Sequence, residues 1–193
     1  MKGFNTIVDQ FEKLGNWRRV ADAARNTVHM EAGEGEPSDN WKKRMLLAEH
    51  SPIRLIHYFW RWIKIPSWVS VHMVRHKIGI EHFVRTQRTD RTGIDRNDEP
   101  QGVEIEHMSE ATIQSLIFMA RKRLCSSASP ETRSAFKKLK AEIEKVDPVV
   151  ASVLVPECIY RGWCPEWETC GYAQTREYQY ALKAYREGSK GAG

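Results

Sequence analysis

Apolar positions along this chain follow two different periods, and the switches between them divide it into helices and strands. Val20, Ala23, Ala24 and Val28 repeat at helical spacing. From Ile53 to Ile65 the chain is rich in aromatic and β-branched residues and reads as a strand, with Ile56, Tyr58, Trp60 and Trp62 on one face. Pro66 breaks that strand, and Ser67 can cap a following helix from Trp68 to His76. Glu81 to Arg88 reads as extended. Ile113, Leu116, Ile117, Ala120 and Leu124 form one amphipathic helix face, and Phe136, Leu139, Ile143 and Val146 form another. Asp147-Pro148 opens a short apolar helix that ends before Pro156, and Tyr172 to Arg186 is the last helix. The order predicts an α+β fold: a small, mostly antiparallel sheet flanked by long helices, in one domain over 1–187. Trp60, Trp62 and Trp68 are expected in its core.

Polar stretches separate these elements. Ala32 to Asn40 and Thr92 to Gly102 read as loops, and the tail over 188–193 is expected to be disordered. No run of 18 apolar residues exists, so no membrane-spanning helix is expected. The first residues contain no continuous apolar stretch of the kind that marks a secretory signal. Four cysteines in 193 residues make no disulfide scaffold, which predicts a reducing, cytoplasmic setting. The net charge of +5 is compatible with phosphate ligands without requiring them.

The densest chemistry lies between Val71 and Arg91. On a helix ending at His76, His72, Arg75 and His76 share a face. On a strand, His82, Thr86 and Arg88 share one face, and Glu81, Arg85 and Gln87 the other. A helix end beside a strand would gather guanidinium, imidazole and hydroxyl groups into a receptor for a phosphate monoester or a dinucleotide, because arginine grips phosphate oxygens in a planar fork. The plainer reading is a solvated cationic surface. Ile78, Ile80, Phe83 and Val84, interleaved with the charges, draw part of the run toward the core, where arginine needs an anionic partner.

These residues resemble the motifs of the flavin-dependent thymidylate synthases. That family carries Arg-His-Arg, several residues, then Ser-x-Arg-Tyr; here the stretch reads Arg75-His76-Lys77 and, later, Thr86-Gln87-Arg88-Thr89. His50-Ser51-Pro52 resembles the family's His-Ser/Thr-Pro, Ala23-Ala24-Arg25-Asn26-Thr27 its Ala-Ala-Arg-x-Ser, and Lys64-x-Pro66 matches as well. The likeness runs from about Ala23 to Pro156. Lys77 keeps a charge where the family has arginine but loses the fork. His72 stands where a glutamine is usual, Ser152 where an arginine is expected, and beyond Pro156 the family's flavin segment is not recognisable.

The resemblance implies an enzyme that binds FAD, reduces it with NADPH, and moves the methylene of methylenetetrahydrofolate to C5 of dUMP. Carried over by position, Ser51, Arg75, His76, Lys77 and Glu81 would hold FAD. His72, Arg75, Thr86, Gln87 and Arg88 would hold dUMP, and His50 would stand near flavin and folate. Arg176 is the nearest positional candidate for the arginine that polarises the pyrimidine, with Arg161 and Arg186 behind it. The family also implies a homotetramer with sites shared between subunits. The altered motif admits a variant in which water intercepts the transferred methylene to give a 5-hydroxymethyl nucleotide, and the loss at Ser152 admits a relative that binds without turnover. A non-catalytic nucleic-acid binder is the alternative from another class. Asp90 and Asp95 within the basic run and the absence of a standard recognition motif speak against it, so no nucleic-acid partner is expected.

Cys158, Cys164 and Cys170 recur every six residues, with Cys125 elsewhere. Three thiolates and a fourth ligand can hold zinc or an iron–sulfur cluster, but the usual sites use two-residue gaps. Small buried thiols are therefore the expectation, with no metal assigned. Trp163 and Trp167 are expected as core or subunit contacts, His57 as a structural or surface histidine, and Glu104 and Glu106 as surface.

Overall fold

A computed structural model of the chain describes residues 5–187; the tail over 188–193 lies outside them. In chain order the elements are β1 (Ile7–Leu14), α1 (Trp17–Asn26), α2 (Asp39–Leu47), a 3-10 turn (Ser51–Leu55), β2 (His57–Pro66), α3 (Ser67–Met73), β3 (Ile80–Val84), α4 (Thr89–Thr92) and β4 (Glu104–Thr112). There follow α5 (Ile113–Arg123), α6 (Pro130–Val146), α7 (Pro148–Val153), α8 (Glu157–Arg161), a second 3-10 turn (Tyr172–Gln174) and α9 (Arg176–Arg186). The strands form one antiparallel sheet in the order β1-β2-β4-β3. The α+β class holds, although of the flanking helices only α6, at 17 residues, is long. Among the described residues no helix is long and apolar enough to cross a membrane.

Strict alternation builds the sheet. Tyr58, Trp60 and Trp62 of β2 are buried, while His57, Phe59 and Arg61 face the other way. In β4 the buried set is Ile105, His107, Ser109 and Ala111. Glu106, on the opposite face, pairs with Arg85 at 2.6 Å and Arg61 at 3.5 Å, and His57 pairs with Glu110 at 2.9 Å. Two bulges interrupt the ladders: one between Asp9 and Glu12 of β1 against β2, where Gln10 has φ 47°, and one between Trp62 and Ile65 of β2 against β4, where Lys64 has φ 56°.

The core lies behind this face. Trp60 and Trp62 meet edge to face at 5.2 Å, and the Trp62 indole N–H donates to the Ala135 carbonyl of α6 at 3.2 Å. Phe136, Leu139 and Ile143 of α6, and Leu116, Ile117 and Ala120 of α5, complete it. At the α6–α7 junction the buried carboxylate of Asp147 accepts from Trp17 Nε1 (2.8 Å), Tyr58 Oη (3.2 Å), Lys13 Nζ (2.6 Å) and the Val150 amide (3.3 Å). One acid thus caps α7 and ties β1, α1 and β2 to it.

Several sequence expectations move. The strand begins at His57, because Ser51–Leu55, with Pro52 at its first turn, coils into 3-10 geometry. Helix α3 stops at Met73 rather than His76, and β3 stops at Val84 rather than Arg88. Val28 lies past the end of α1 and is exposed, as is Val146 at the last turn of α6. Trp68 is half-buried at the edge of the core. Trp163 and Trp167 are exposed, so neither belongs to the core of this chain.

Candidate active site

Residues 74–79 form the connection between α3 and β3, and its shape follows from two anchors. Val74 N–H closes α3 on the Ser70 carbonyl, and His76 N–H reaches back to Met73. At the other end Gly79 has φ 69°, and its carbonyl accepts from Thr112 N–H at 2.9 Å. A Cβ there would stand 2.9 Å from the Thr112 hydroxyl, so backbone and space both require glycine.

The connection carries Arg75 and His76 against α5 and α6. Arg123, in the last turn of α5, donates from Nε to His76 Nε2 at 3.0 Å. Beside them, Ser129 donates to the Thr132 hydroxyl at 2.8 Å, which in turn meets His72 Nδ1 at 3.1 Å. Burial first, then the charge of Arg75, lowers the pKa of Arg123. Burial and the same two guanidinium groups lower that of His72. Among the described residues neither Arg75 nor Arg123 has an ion-pair partner. Two neighbouring guanidinium groups, one of them half-buried and neither ion-paired among the described residues, have the chemistry to receive an anion.

A chain of imidazoles fixes this receptor from behind. His82 Nε2 lies 3.0 Å from the His76 carbonyl, which only accepts, so His82 carries its proton there and accepts at Nδ1. His107 Nε2 stands 2.9 Å from that Nδ1, and Ser70 Oγ lies 3.0 Å from His107 Nδ1. Ser109 Oγ bridges the two rings at 2.9 and 3.1 Å. With both rings neutral, His107 Nε2–H donates to Ser109 Oγ, the Ser109 hydroxyl donates to His82 Nδ1, and the Ser70 hydroxyl donates to His107 Nδ1. Burial, with the neighbouring His82, brings His107 down to about 3, and burial, with Arg123 and His82, brings His76 to about 4.

That neutrality predicts acid sensitivity. An unfolded histidine takes up its proton near 6.5, whereas His107 and His76 in the fold resist until about 3 and about 4. Their contribution is therefore complete above pH 6.5 and is lost as pH falls through that window, His107 alone accounting for on the order of 4 kcal/mol. Urea midpoints taken from neutral to acidic pH should fall more steeply for the wild type than for His107→Gln. Parallel curves would show that His107 is not held neutral.

The structure distributes the residues singled out by sequence over four places. Arg75, His76 and His72 gather with Arg123, although through a turn rather than on one helical face. Lys77, next in the chain, and Glu81, on β3, are exposed. Thr86 and Gln87 lie beyond β3, on a cavity of about 490 Å³ shared with Arg61, Lys64 and Glu106. Ser67 donates to Gln87, and Thr86 Oγ1 accepts from Arg88 N–H. Arg88 is held by both oxygens of Asp90 at 2.9 Å and shares no strand face with His82. His50 and Ser51 are exposed at the turn after α2, His50 on a pocket with Trp41 and Arg44. Arg176 is exposed at the start of α9, which packs on α8 and the second 3-10 turn. Sequence reasoning missed Arg123 and His107 as members of the site, and it placed His82 on a strand face with Thr86 and Arg88 rather than against His107. The signal for the two histidines was the alternation of β4 and β3, which puts His107 and Ser109 on a buried face beside His82.

Solved structures share this fold. The UMP/dUMP methylase PolB from Streptomyces cacaoi, bound with 5-Br dUMP, superposes with a TM-score of 0.62 at 12% identity, covering 77% of this chain and 94% of that one. The same methylase bound with 5-Br UMP gives a TM-score of 0.59 at 12% identity, covering 77% and 93%. The chain matches no family model and no curated protein. At this identity the likeness is one of fold.

Proposed function

We propose that the chain is an FAD-dependent enzyme that moves a one-carbon unit from methylenetetrahydrofolate to C5 of dUMP, giving dTMP with NADPH as reductant. The observation that carries this reading is the pair Arg75 and Arg123, without an acid partner among the described residues and backed by neutral imidazoles, on a fold shared with an enzyme whose solved structure holds 5-Br dUMP. The donors suit an anion of two or more charges: guanidinium forks from Arg75 and Arg123, an ammonium from Lys77, and the His72 and His76 rings. Arg75, His76 and Lys77 would hold the pyrophosphate side of FAD, with Ser51 and Glu81 from elsewhere in the assembly; the flavin would supply the hydride that completes the methyl group. His72 and Arg75 would hold the nucleotide, joined by Thr86, Gln87 and by Arg88 once the phosphate displaces Asp90. Arg176 would place positive charge at the pyrimidine edge and raise the electron density at C5.

One chain does not bring these groups together, and that supports an assembly of several copies. Val71, Ile78, Phe83, Val84 and Phe118 are large, exposed and apolar on and around the connection that bears Arg75. A second copy seated there would cover them and bring its own Thr86–Arg88 or Arg176 to the anion receptor. The decisive measurement is the absorbance of the purified protein after incubation with FAD, before and after adding dUMP. A retained flavin spectrum that shifts with dUMP is expected. A protein that takes up no FAD would overturn the reading.

A further inference from the structure

All four cysteines of the chain line one cavity. It has a volume of about 350 Å³ and is walled by Cys125 after α5, Cys158 in α8, and Cys164 and Cys170 in the segment that follows, together with Leu154, Pro156, Tyr172 and others. None is in a disulfide. Three separate stretches of chain thus deliver every thiol the protein has to a single void. Cys125 and Cys164 both lie within electrostatic reach of Cys158, and the backbone N–H groups of Cys158 and Ile159 point at the Cys158 sulfur.

Among the described residues no three His, Cys, Asp or Glu side chains are placed to hold one metal ion. A zinc-type site, in which all ligands converge on a point, is therefore not preformed there. A polynuclear cluster asks for the opposite arrangement. Each thiolate binds its own iron, so the sulfurs are spread around a volume rather than gathered on a centre. We propose that Cys125, Cys158, Cys164 and Cys170 ligate a four-iron, four-sulfur cluster in this cavity.

Charge and architecture agree. A cluster with four thiolates is a net anion, and the cavity wall carries the ammonium groups of Lys137 and Lys140. Two carboxylates line the same cavity: Glu157, next to Cys158 in the chain, is neutralised by Arg121 at 2.7 Å and Arg161 at 2.6 Å, and Glu166 balances one of the two ammonium groups. The segment over 162–171 contains no helix or strand, and two of its tryptophans face solvent. It therefore lacks the backbone ladder and buried side chains that hold the rest of the fold, and a cluster would pin it at two points to α8 and to the α5–α6 connection. The sequence argued against a cluster because its cysteines lack two-residue gaps; the fold supplies the fourth thiol, Cys125, from a distant element.

The test uses the full chain under anaerobic conditions, with a preformed synthetic four-iron cluster bearing small thiolate ligands as donor. The transfer is a ligand exchange: four iron–thiolate bonds to the donor break and four to cysteine form. Each cysteine passes its proton to a departing thiolate, and no electron moves. After desalting, about four iron and about four acid-labile sulfide per chain are expected, with most of both lost in Cys125→Ser and in Cys170→Ser. Cys170 is exposed, so its replacement leaves the fold intact, which circular dichroism verifies. No retained iron, iron without sulfide, or equal retention by the serine variants would each overturn the assignment.

Discussion

Arg123→Met is expected to weaken binding of a multiply charged ligand at the Arg75 connection by about 10- to 100-fold, while leaving the ligand-free protein at least as stable as before. The loss corresponds to roughly 1.5–3 kcal/mol for a charge-assisted hydrogen bond. The stability half of the expectation comes from the same geometry. Among the described residues Arg123 is paired with no acid; it is half-buried and repelled by Arg75, so its hydrogen bond to His76 Nε2 at 3.0 Å offsets a standing cost of desolvation and repulsion. Methionine fills the same volume without that cost. A residue that only holds the fold together behaves oppositely: removing it lowers the thermal midpoint and leaves affinity alone. Titrations with FAD and with dUMP, each against Arg123→Met and the wild type, separate the two. Affinity unchanged for both ligands, with a lower midpoint, would show that Arg123 is structural.

The same residue shows where the sequence was legible and where it was not. Alternation over Tyr58, Trp60 and Trp62 places them on one buried face, and the structure buries all three completely. The helix faces of α5 and α6 were equally readable, because a buried stripe leaves a period in the chain. The Arg75–His76 pair was visible as charge interleaved with apolar residues. Its partner Arg123 was not, since it lies 47 residues away and reads as one more cation at a helix C-terminus, where cations are common for reasons of the helix dipole. Nor was the end of α3 at Met73, which converts a supposed helical face into a turn. The Thr86–Arg88 stretch was placed on a strand by its alternation, but its side chains find Asp90 and Ser67 instead, an outcome decided by tertiary contacts that no local period records.

The largest loss of stability is expected at Asp147. Asp147→Ala should cost about 3–5 kcal/mol, enough to lower the urea midpoint severely or to prevent folding altogether. The carboxylate is 4% exposed and accepts from Trp17 Nε1, Tyr58 Oη and Lys13 Nζ, and all three donors are built into the fold and cannot follow it out. Removing the acceptor strands an indole N–H and a phenol in the core and an ammonium at its edge. It also takes away the side-chain cap of α7. Asp147→Asn keeps an acceptor oxygen and the cap while losing the ion pair, so it should fall between alanine and the wild type. The cause can be isolated with Tyr58→Phe. In the wild type this change breaks a hydrogen bond. In the Asp147→Ala background it deletes a hydroxyl that has already lost its partner, so it should be less costly there or even stabilising. If Tyr58→Phe costs the same in both backgrounds, the phenol does not depend on Asp147. The junction of α6 and α7 would then rest on the other donors to Asp147: Trp17, Lys13 and the Val150 amide.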